Sequence, residues 1–520
     1  MAHAVIICGQ AVGYSAGRSA GAYIIANVFR QYGITAIVLD RFLSMQPAYR
    51  QQLIEKFVDD DTRFICVSST LMGNKIDGNG VQMSDVDAQL APWLELCKQR
   101  APLAVTIVGG SRITAKESIG FPYDYAVIGQ GERTLLAIVN HELYGDTLIS
   151  TVNRGTTHYV SDKTYGYDSY NTSTYLRFTD DDAVLHNEVL PLEFGRGCVF
   201  KCSYCNYPLI GKSFNEFTRS KELLIADFKY NWEKFGINKY VLIDDTCNDS
   251  IEKVQIWHDA VKESQVPVEF AGYMRLELFH KYPEMAKLYL DSGLKAAIFG
   301  IETFNKEAGV TVGKGFGEKA KDTLLALKQV WGEEVAIQGN FIVGLPHDSI
   351  EQLDEQFEWL MSTKAVHIAA FHALSITNRS DSILASEYKS YYEVDRINEK
   401  SGVVYWRSPV MTFEHAINMV DSYRSRWREA NTGYVNRASG FQVMVLSQYY
   451  DFETLYNRDL TVDERKKINR ARNIAYKNKL LTQVDNPKAE LPTKRLTPVV
   501  KPGGVFESRN VKRTIRLKQV

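Results

Sequence analysis

Short apolar runs alternate with stretches of helical periodicity through the first three-quarters of the chain. Ala4–Cys8, Ala36–Asp40, Phe64–Ser68, Val105–Gly110 and Tyr125–Gly129 each read as a buried strand. Between the first two, Ile24, Ile25, Val28, Phe29 and Tyr32 recur close to a 3.6 period, and Gly33 sits where a helix C′ glycine belongs. Strands alternating with helices predict an α/β unit with a doubly wound parallel sheet over residues 1–145. Such sheets bind ligands beyond the carboxyl ends of their strands, where the strand order reverses. Gly9 and Gly13 follow the first strand, Gly109 and Gly110 close the fourth, and Gly129, Gly131 and Glu132 follow the fifth. A backbone without Cβ lets a flat ligand approach closely.

The same alternation returns over 190–375. Leu192–Phe194 leads in. Strands are predicted at 240–245, 268–275, 296–302, 336–346 and 367–372, with helices at 221–235, 251–263, 282–292, 319–330 and 350–361. Six βα repeats predict a partial (β/α)6 barrel, open along one side, with its chemistry at the C-terminal strand ends. Asp244, Asp245, Arg275, Glu302 and Gly344 fall at those ends. A charge that follows a buried apolar run must face a ligand, a partner or solvent. Asp249 and Asp348 read instead as N-caps of the helices that follow them. Residues 146–189 read as a linker. Residues 376–485 read as a mostly helical extension, with amphipathic helices at 411–430 and 460–480. Tyr423, Tyr449, Tyr450, Trp406 and Trp427 in that extension could line a channel but suit a core better.

Composition narrows the class. The chain has 520 residues, too many for one core, with 45% hydrophobic and 24% charged residues and a net charge of −1. That balance gives no general attraction to nucleic acid or anionic membrane. The tail 486–520 is basic, with nine Lys or Arg against two Glu from residue 488 onward; it reads as a solvated extension. No apolar run approaches the roughly 20 residues of a spanning helix. Without a basic signal segment at the start, a cytoplasmic location is expected.

Candidate chemistry is concentrated in Gly195–Pro208. Cys198, Cys202 and Cys205 stand there in a C-x3-C-x2-C run, with Tyr204 just before the last. A structural zinc site wants four ligands at about 2.0–2.3 Å. The nearest further candidates, His186, Cys247 and His258, repeat no knuckle spacing. A disulfide scaffold does not suit a long chain with seven cysteines. A four-iron cluster wants one outside ligand per iron. Three thiols in one loop therefore leave one iron open to a small chelating molecule.

This run resembles the signature of the radical S-adenosylmethionine (radical SAM) superfamily. The resemblance implies a 4Fe-4S cluster on Cys198, Cys202 and Cys205, and S-adenosylmethionine (SAM) cleaved to a 5′-deoxyadenosyl radical. It further implies SAM contacts: the strand end at Asp244 and Asp245 on the amino group, Arg275 on the carboxylate, Glu302 on the ribose, and Tyr204 with the 339–346 stretch, including Gly344, beside the adenine. A Lys314-Gly315 loop also matches the family's habit, with no role claimed for it. An electron donor such as flavodoxin or ferredoxin is the implied partner. No membrane or nucleic-acid partner is expected.

The first segment resembles the cobalamin-binding domain that precedes the barrel in a subgroup of this family. A dinucleotide site would want G-x-G-x-x-G, but Gly9, Gly13, Gly17 and Gly21 are four apart. The subgroup's landmarks are the Val-Gly-Gly run at 108–110 and a G-E-G-E run, which here reads Gly129-Gln130-Gly131-Glu132. On that resemblance, Gly9, Gly109, Gly110, Gly129, Gly131 and Glu132 border cobalamin. The D-x-H-x-x-G motif that supplies a lower histidine ligand in another cobalamin group is absent. The reading is a cobalamin-dependent methyltransferase acting on an unactivated carbon. The alternatives are a radical isomerase or cyclase without cobalamin, and a non-catalytic cluster- or zinc-binding protein.

Overall fold

The computed structural model describes residues 2–8, 17–69, 86–110, 113, 119–150, 152–165, 176–205, 211–213, 217–377, 390–398, 403–483 and 490–497. Three sheets organise them.

The first sheet holds β1 (Ala4–Ile7), β2 (Ala36–Leu39), β3 (Phe64–Ser68), β4 (Val105–Gly109), β5 (Tyr125–Ile128), β6 (Val152–Arg154) and β7 (Thr157–Ser161) in the order β2-β1-β3-β4-β5-β7-β6. β1 to β5 and β7 run parallel, and β6 is antiparallel to β7. Every residue of β1 and β2 is buried, as continuous apolar runs require when helices cover both faces. The 2-1-3-4-5 order is the flavodoxin-like one, with its switch point between β1 and β3. Gly9 and Gly13, which follow β1, lie outside the described residues. The stretch 146–189, expected as a linker, supplies β6 and β7 to this sheet's edge. It also supplies Asp182 and Glu188, whose buried carboxylates pair with Arg30 and Arg18 at 2.8 and 2.7 Å.

The second sheet is wholly parallel: β8 (Val189–Leu192), β9 (Lys239–Leu242), β10 (Glu269–Met274), β11 (Leu294–Glu302), β12 (Ala336–Val343) and β13 (Ile368–Ala373), paired in chain order. Helices 221–235, 251–264, 319–331 and 350–363 match the periodicity to within two residues. The predicted 282–292 helix is found at 284–291, starting after Pro283, and a short helix at 276–281, which was not predicted, precedes it. Both expected aspartate caps are corrected. Ser250 caps helix 251–264 and Ser349 caps helix 350–363, each accepting from the backbone N–H three residues on. Asp249 lies 3.7 Å from the Lys253 ammonium, and Asp348 accepts from the Leu345 N–H.

Helices 413–430 and 462–483 of the extension agree with the sequence pattern. The three-stranded sheet of β14 (Ile376–Thr377), β15 (Glu393–Ile397) and β16 (Val403–Arg407) was not foreseen. Trp406, Tyr423 and Trp427 are core, whereas Tyr449 is exposed. Helix 440–446 closes the barrel at the N-terminal end of its strands. Its Val443 and Met444 pack with Val189, Val241, Ala271, Ala296, Ala336 and Ile368, and the Gly440 N–H donates to Gln338 at 2.7 Å. A Cβ at Gly440 would stand 2.9 Å from Ile298, so glycine permits this close seat.

Candidate functional site

The cysteine loop leaves β8 at the C-terminal mouth of the barrel, and β9 holds it from below. Asp244 accepts from the N–H groups of Phe194 and Gly195, both at 2.8 Å, and from the Lys253 ammonium at 2.9 Å. The Gly197 N–H bonds Asp245, and Cys198 Sγ lies 3.2 Å from the Thr246 hydroxyl. Lys253 is fully buried. Burial works against its charge, but Asp244 and Asp249 outweigh it and hold the ammonium above its ordinary value. Asp244 therefore supports the loop: its oxygens are taken up by the loop backbone and by Lys253. Asp245, beside it, is only partly buried.

Cys198, Cys202 and Cys205 are all half-buried, while Cys8, Cys66, Cys97 and Cys247 are buried. Burial pushes the Cys66, Cys97 and Cys247 thiols up to about 12, far from any ligand role. Arg275 donates from Nη1 to Cys202 Sγ at 3.3 Å and pairs with Glu277 at 2.6 Å, its guanidinium stacked 3.8 Å from the centroid of the Phe200 ring. Arg275 is thus engaged by the cysteine loop and by Glu277, a partner the sequence reading did not anticipate. Lys314, left without a role above, donates to the Gly300 carbonyl at 2.6 Å and lies 3.7 Å from Glu302. Although burial opposes it, Lys314 and then Arg275 hold the Glu277 carboxyl below its usual range.

Glu302 closes β11 with φ +70°, where the register with β12 slips between Gly300 and Glu302. A left-handed glutamate costs about 1–3 kcal/mol and persists where surroundings over-determine it. Here the slip turns the carboxylate inward to accept from the Tyr204 hydroxyl at 2.6 Å. A Cβ at Gly300 would stand 2.5 Å from that carboxylate, so glycine makes the room. Burial, with Glu302 alongside, raises the Tyr204 phenol well above its ordinary value, so it remains a hydrogen donor. Gly344, at φ +100°, faces Trp406, whose ring would lie 2.4 Å from an added Cβ. Its glycine is explained by packing.

Across the mouth lies the loop after β5. Gly129 has φ +82°, and an added Cβ would fall 2.1 Å from the Asp162 carboxylate, which accepts the Gln130 N–H at 2.8 Å. A Cβ at Gly131 would stand 2.8 Å from Ile25. Glu132 begins helix 132–144 and pairs with Arg196 at 2.9 Å. Gly109 ends β4 and Gly110 follows at φ +105°. Arg196 lies in the Gly195–Pro208 run without a role in the sequence reading; its signal is position, two residues before Cys198.

The three thiols suit a cluster. They share one loop whose neighbours supply a guanidinium and a hydroxyl to the sulfurs. Among the described residues no three His, Cys, Asp or Glu side chains could hold a metal ion, whereas a cluster lets each thiolate take an iron of its own. Residues 192–360 match the radical SAM superfamily. The barrel is a radical SAM domain. Two curated proteins of Chlorobaculum tepidum are 24% identical to this chain: bacteriochlorophyllide d C-12(1)-methyltransferase over 182 residues and bacteriochlorophyllide d C-8(2)-methyltransferase over 179. The matches cover 34% and 33% of this chain and 39% of each relative. The fold extends further. The radical SAM methyltransferase TsrM of Kitasatospora setae, solved with tryptophan and a SAM analogue, superposes with a TM-score of 0.65 at 13% identity, covering 90% of this chain and 99% of TsrM. OxsB, solved with aqua-cobalamin and SAM, gives 0.59 at 12% identity, covering 92% of this chain and 72% of OxsB. Both radical SAM domain and first sheet belong to that shared architecture. No described helix is long and apolar enough to cross a membrane.

Proposed function

We propose that the chain is a cobalamin-dependent radical SAM methyltransferase. The observation that carries the reading is a juxtaposition: a loop of three half-buried thiols at the open barrel's mouth, bonded to the Gly129–Glu132 loop of a flavodoxin-order sheet. The relatives support it by their own activities, methyl transfer to bacteriochlorophyllides and, for TsrM, methyl transfer in a protein crystallised with tryptophan. OxsB was solved with cobalamin and SAM together.

Cys198, Cys202 and Cys205 would hold a 4Fe-4S cluster; Asp245, Glu302 and Tyr204 border the position for SAM; Gly109, Gly110 and Gly129 border that for cobalamin. When bound, these groups supply reductive cleavage of the SAM sulfonium and delivery of a methyl group. The chain's own residues orient and insulate. Thr246 and Arg275 contact two of the sulfurs, and Arg275 keeps a positive charge beside them. Tyr204 aims the Glu302 carboxylate inward. Helix 440–446 shuts the far end of the barrel, so water and substrate exchange through the mouth and the open side. An electron donor of the flavodoxin or ferredoxin kind completes the scheme.

Anaerobic reconstitution tests it. About four irons per chain, 5′-deoxyadenosine on addition of SAM and dithionite, and hydroxocobalamin retained through desalting are the expected results. Absence of 5′-deoxyadenosine sinks both enzymatic readings. Loss of hydroxocobalamin alone sinks the cobalamin assignment and leaves a radical SAM isomerase or cyclase.

A further inference from the structure

Arg196 joins the two α/β units through one planar group. Its Nη1 donates to Gln130 Oε1 and Glu132 Oε1, both at 2.9 Å, on the first-sheet side. Its Nε and Nη2 donate to the two oxygens of Glu193 at 2.8 and 3.0 Å, at the end of β8. The Arg196 side chain is 18% exposed, Glu132 6% and Glu193 9%. Forked, charge-assisted bonds of this kind fix direction as well as distance, and low dielectric strengthens them.

Neither side of this bracket has slack. On the barrel side the N–H groups of Phe194 and Gly195 are bonded to Asp244, and only Gly197 separates Arg196 from Cys198. On the other side the Gln130 N–H is bonded to Asp162, Gly131 lies against Ile25, and Glu132 is already inside a helix. A shift of the cysteine loop must either break the fork or be passed to residues 129–132.

We infer that Arg196 is a positioning residue that holds the cysteine loop and the 129–132 loop in one register, so that filling either site is felt at the other. The inference rests on the proposed function only for the identity of the second ligand. A lysine could not replace this arginine, because a single ammonium lacks the planar fork that meets both sides.

The test is amide hydrogen exchange of the full chain under anaerobic conditions, with and without iron–sulfur reconstitution. Reconstitution should slow exchange over residues 129–134 by at least about fivefold in the wild type, the low end of ordinary coupling. In Arg196→Gln carrying the same iron content, that slowing should largely disappear, and Arg196→Lys should restore little of it. Should Arg196→Gln fail to fold or load iron, Glu132→Gln serves, since it weakens only the first-sheet half of the fork and leaves Glu193 on the cysteine loop's side. Equal slowing in the wild type and in the variant that loads, or none in the wild type, overturns the inference. The reciprocal arm measures hydroxocobalamin affinity with and without the cluster. A wild type that binds no hydroxocobalamin yet shows Arg196-dependent protection removes the cofactor assignment and leaves the bracket standing. A wild type that binds it equally well in both states overturns the coupling.

Discussion

The strand ends of the barrel and those of the first sheet are built on opposite principles. Around the barrel mouth nearly every candidate residue is a charged or hydroxyl side chain bonded to another: Asp244 to Lys253, Arg275 to Glu277 and Cys202, Glu302 to Tyr204. Around the first sheet the candidates are mostly glycines, and what matters is the side chain they lack. The contrast suits the ligands proposed. A nucleoside amino acid needs directed polar contacts, whereas a large flat ring needs open backbone and apolar walls. The Arg196 fork is the point where side-chain chemistry reaches the glycine loop.

The sharpest way to break this comparison is at the thiols. Replacing any one of Cys198, Cys202 or Cys205 by Ala should abolish cluster assembly, taking iron from about four per chain to well under one. Cys66→Ala, remote and buried, should retain the full complement; iron assay after anaerobic desalting decides. A Cys202 variant that still loads fully would reopen the reading of which thiols serve.

Next in size is Lys253. It is the buried ammonium between Asp244 and Asp249, and Lys253→Met leaves Asp244 without its cation, while Asp249 keeps Lys212 at 3.6 Å. Removing one partner of a buried pair costs about 3–5 kcal/mol. The midpoint of thermal unfolding should fall even in the iron-free protein, which separates scaffold damage from cluster loss. An unchanged midpoint would show that the cysteine loop does not depend on this support.

These residues also mark how far the sequence could be read. The strands and helices of both α/β units were legible because buried parallel strands are continuous apolar runs and their helices carry plain 3.6 periodicity. The thiols were legible because spacing along one loop survives without the fold. Lys253 was not, since a lysine inside a helical pattern looks like a solvated one until Asp244, nine residues back, is folded beneath it. Arg275 and Glu302 were found as strand-end charges; Glu277, two residues after Arg275, looked like an ordinary first-turn helix charge, and the partners of Glu302, Lys314 and Tyr204, come from other loops. The β6–β7 hairpin was missed because the edge strand β6 is only Val-Asn-Arg, and the buried part of β7 is only Tyr159 to Ser161, after Thr157 and His158.

A smaller effect tests by pH the seam between the first sheet and the segment that leads into β8. Although wholly buried, the Glu188 carboxyl is held down at about 2, burial being outweighed by Arg18 and Arg41. Because its folded value lies below the ordinary 4.5, its contribution is present in full above pH 4.5 and fades as pH falls toward 2. That contribution is about 3 kcal/mol. Glu188→Gln should be less stable at neutral pH and show a flatter loss of thermal stability between pH 5 and 3. A wild-type slope retained in the variant would mean other carboxylates set the acid limit.

The finest test compares two glycines of the first sheet. Gly129 and Gly145 have similar backbones, φ +82° and +71°. Gly145 ends helix 132–144 with nothing within 4 Å of an added Cβ, while at Gly129 that Cβ would strike Asp162. Gly145→Ala bears only the left-handed backbone penalty, about 1 kcal/mol. Gly129→Ala bears the same penalty and must also displace Asp162 from the Gln130 N–H, so it should cost more, by roughly another 1 kcal/mol for the lost bond. The more telling readout is where the damage travels. Because Gln130 Oε1 is one end of the Arg196 fork, Gly129→Ala should also disturb the cysteine loop, slowing iron uptake on reconstitution, while Gly145→Ala leaves uptake at the wild-type rate. Equal uptake in both would confine the glycine loop to its own sheet and dissolve the link between the two kinds of strand end.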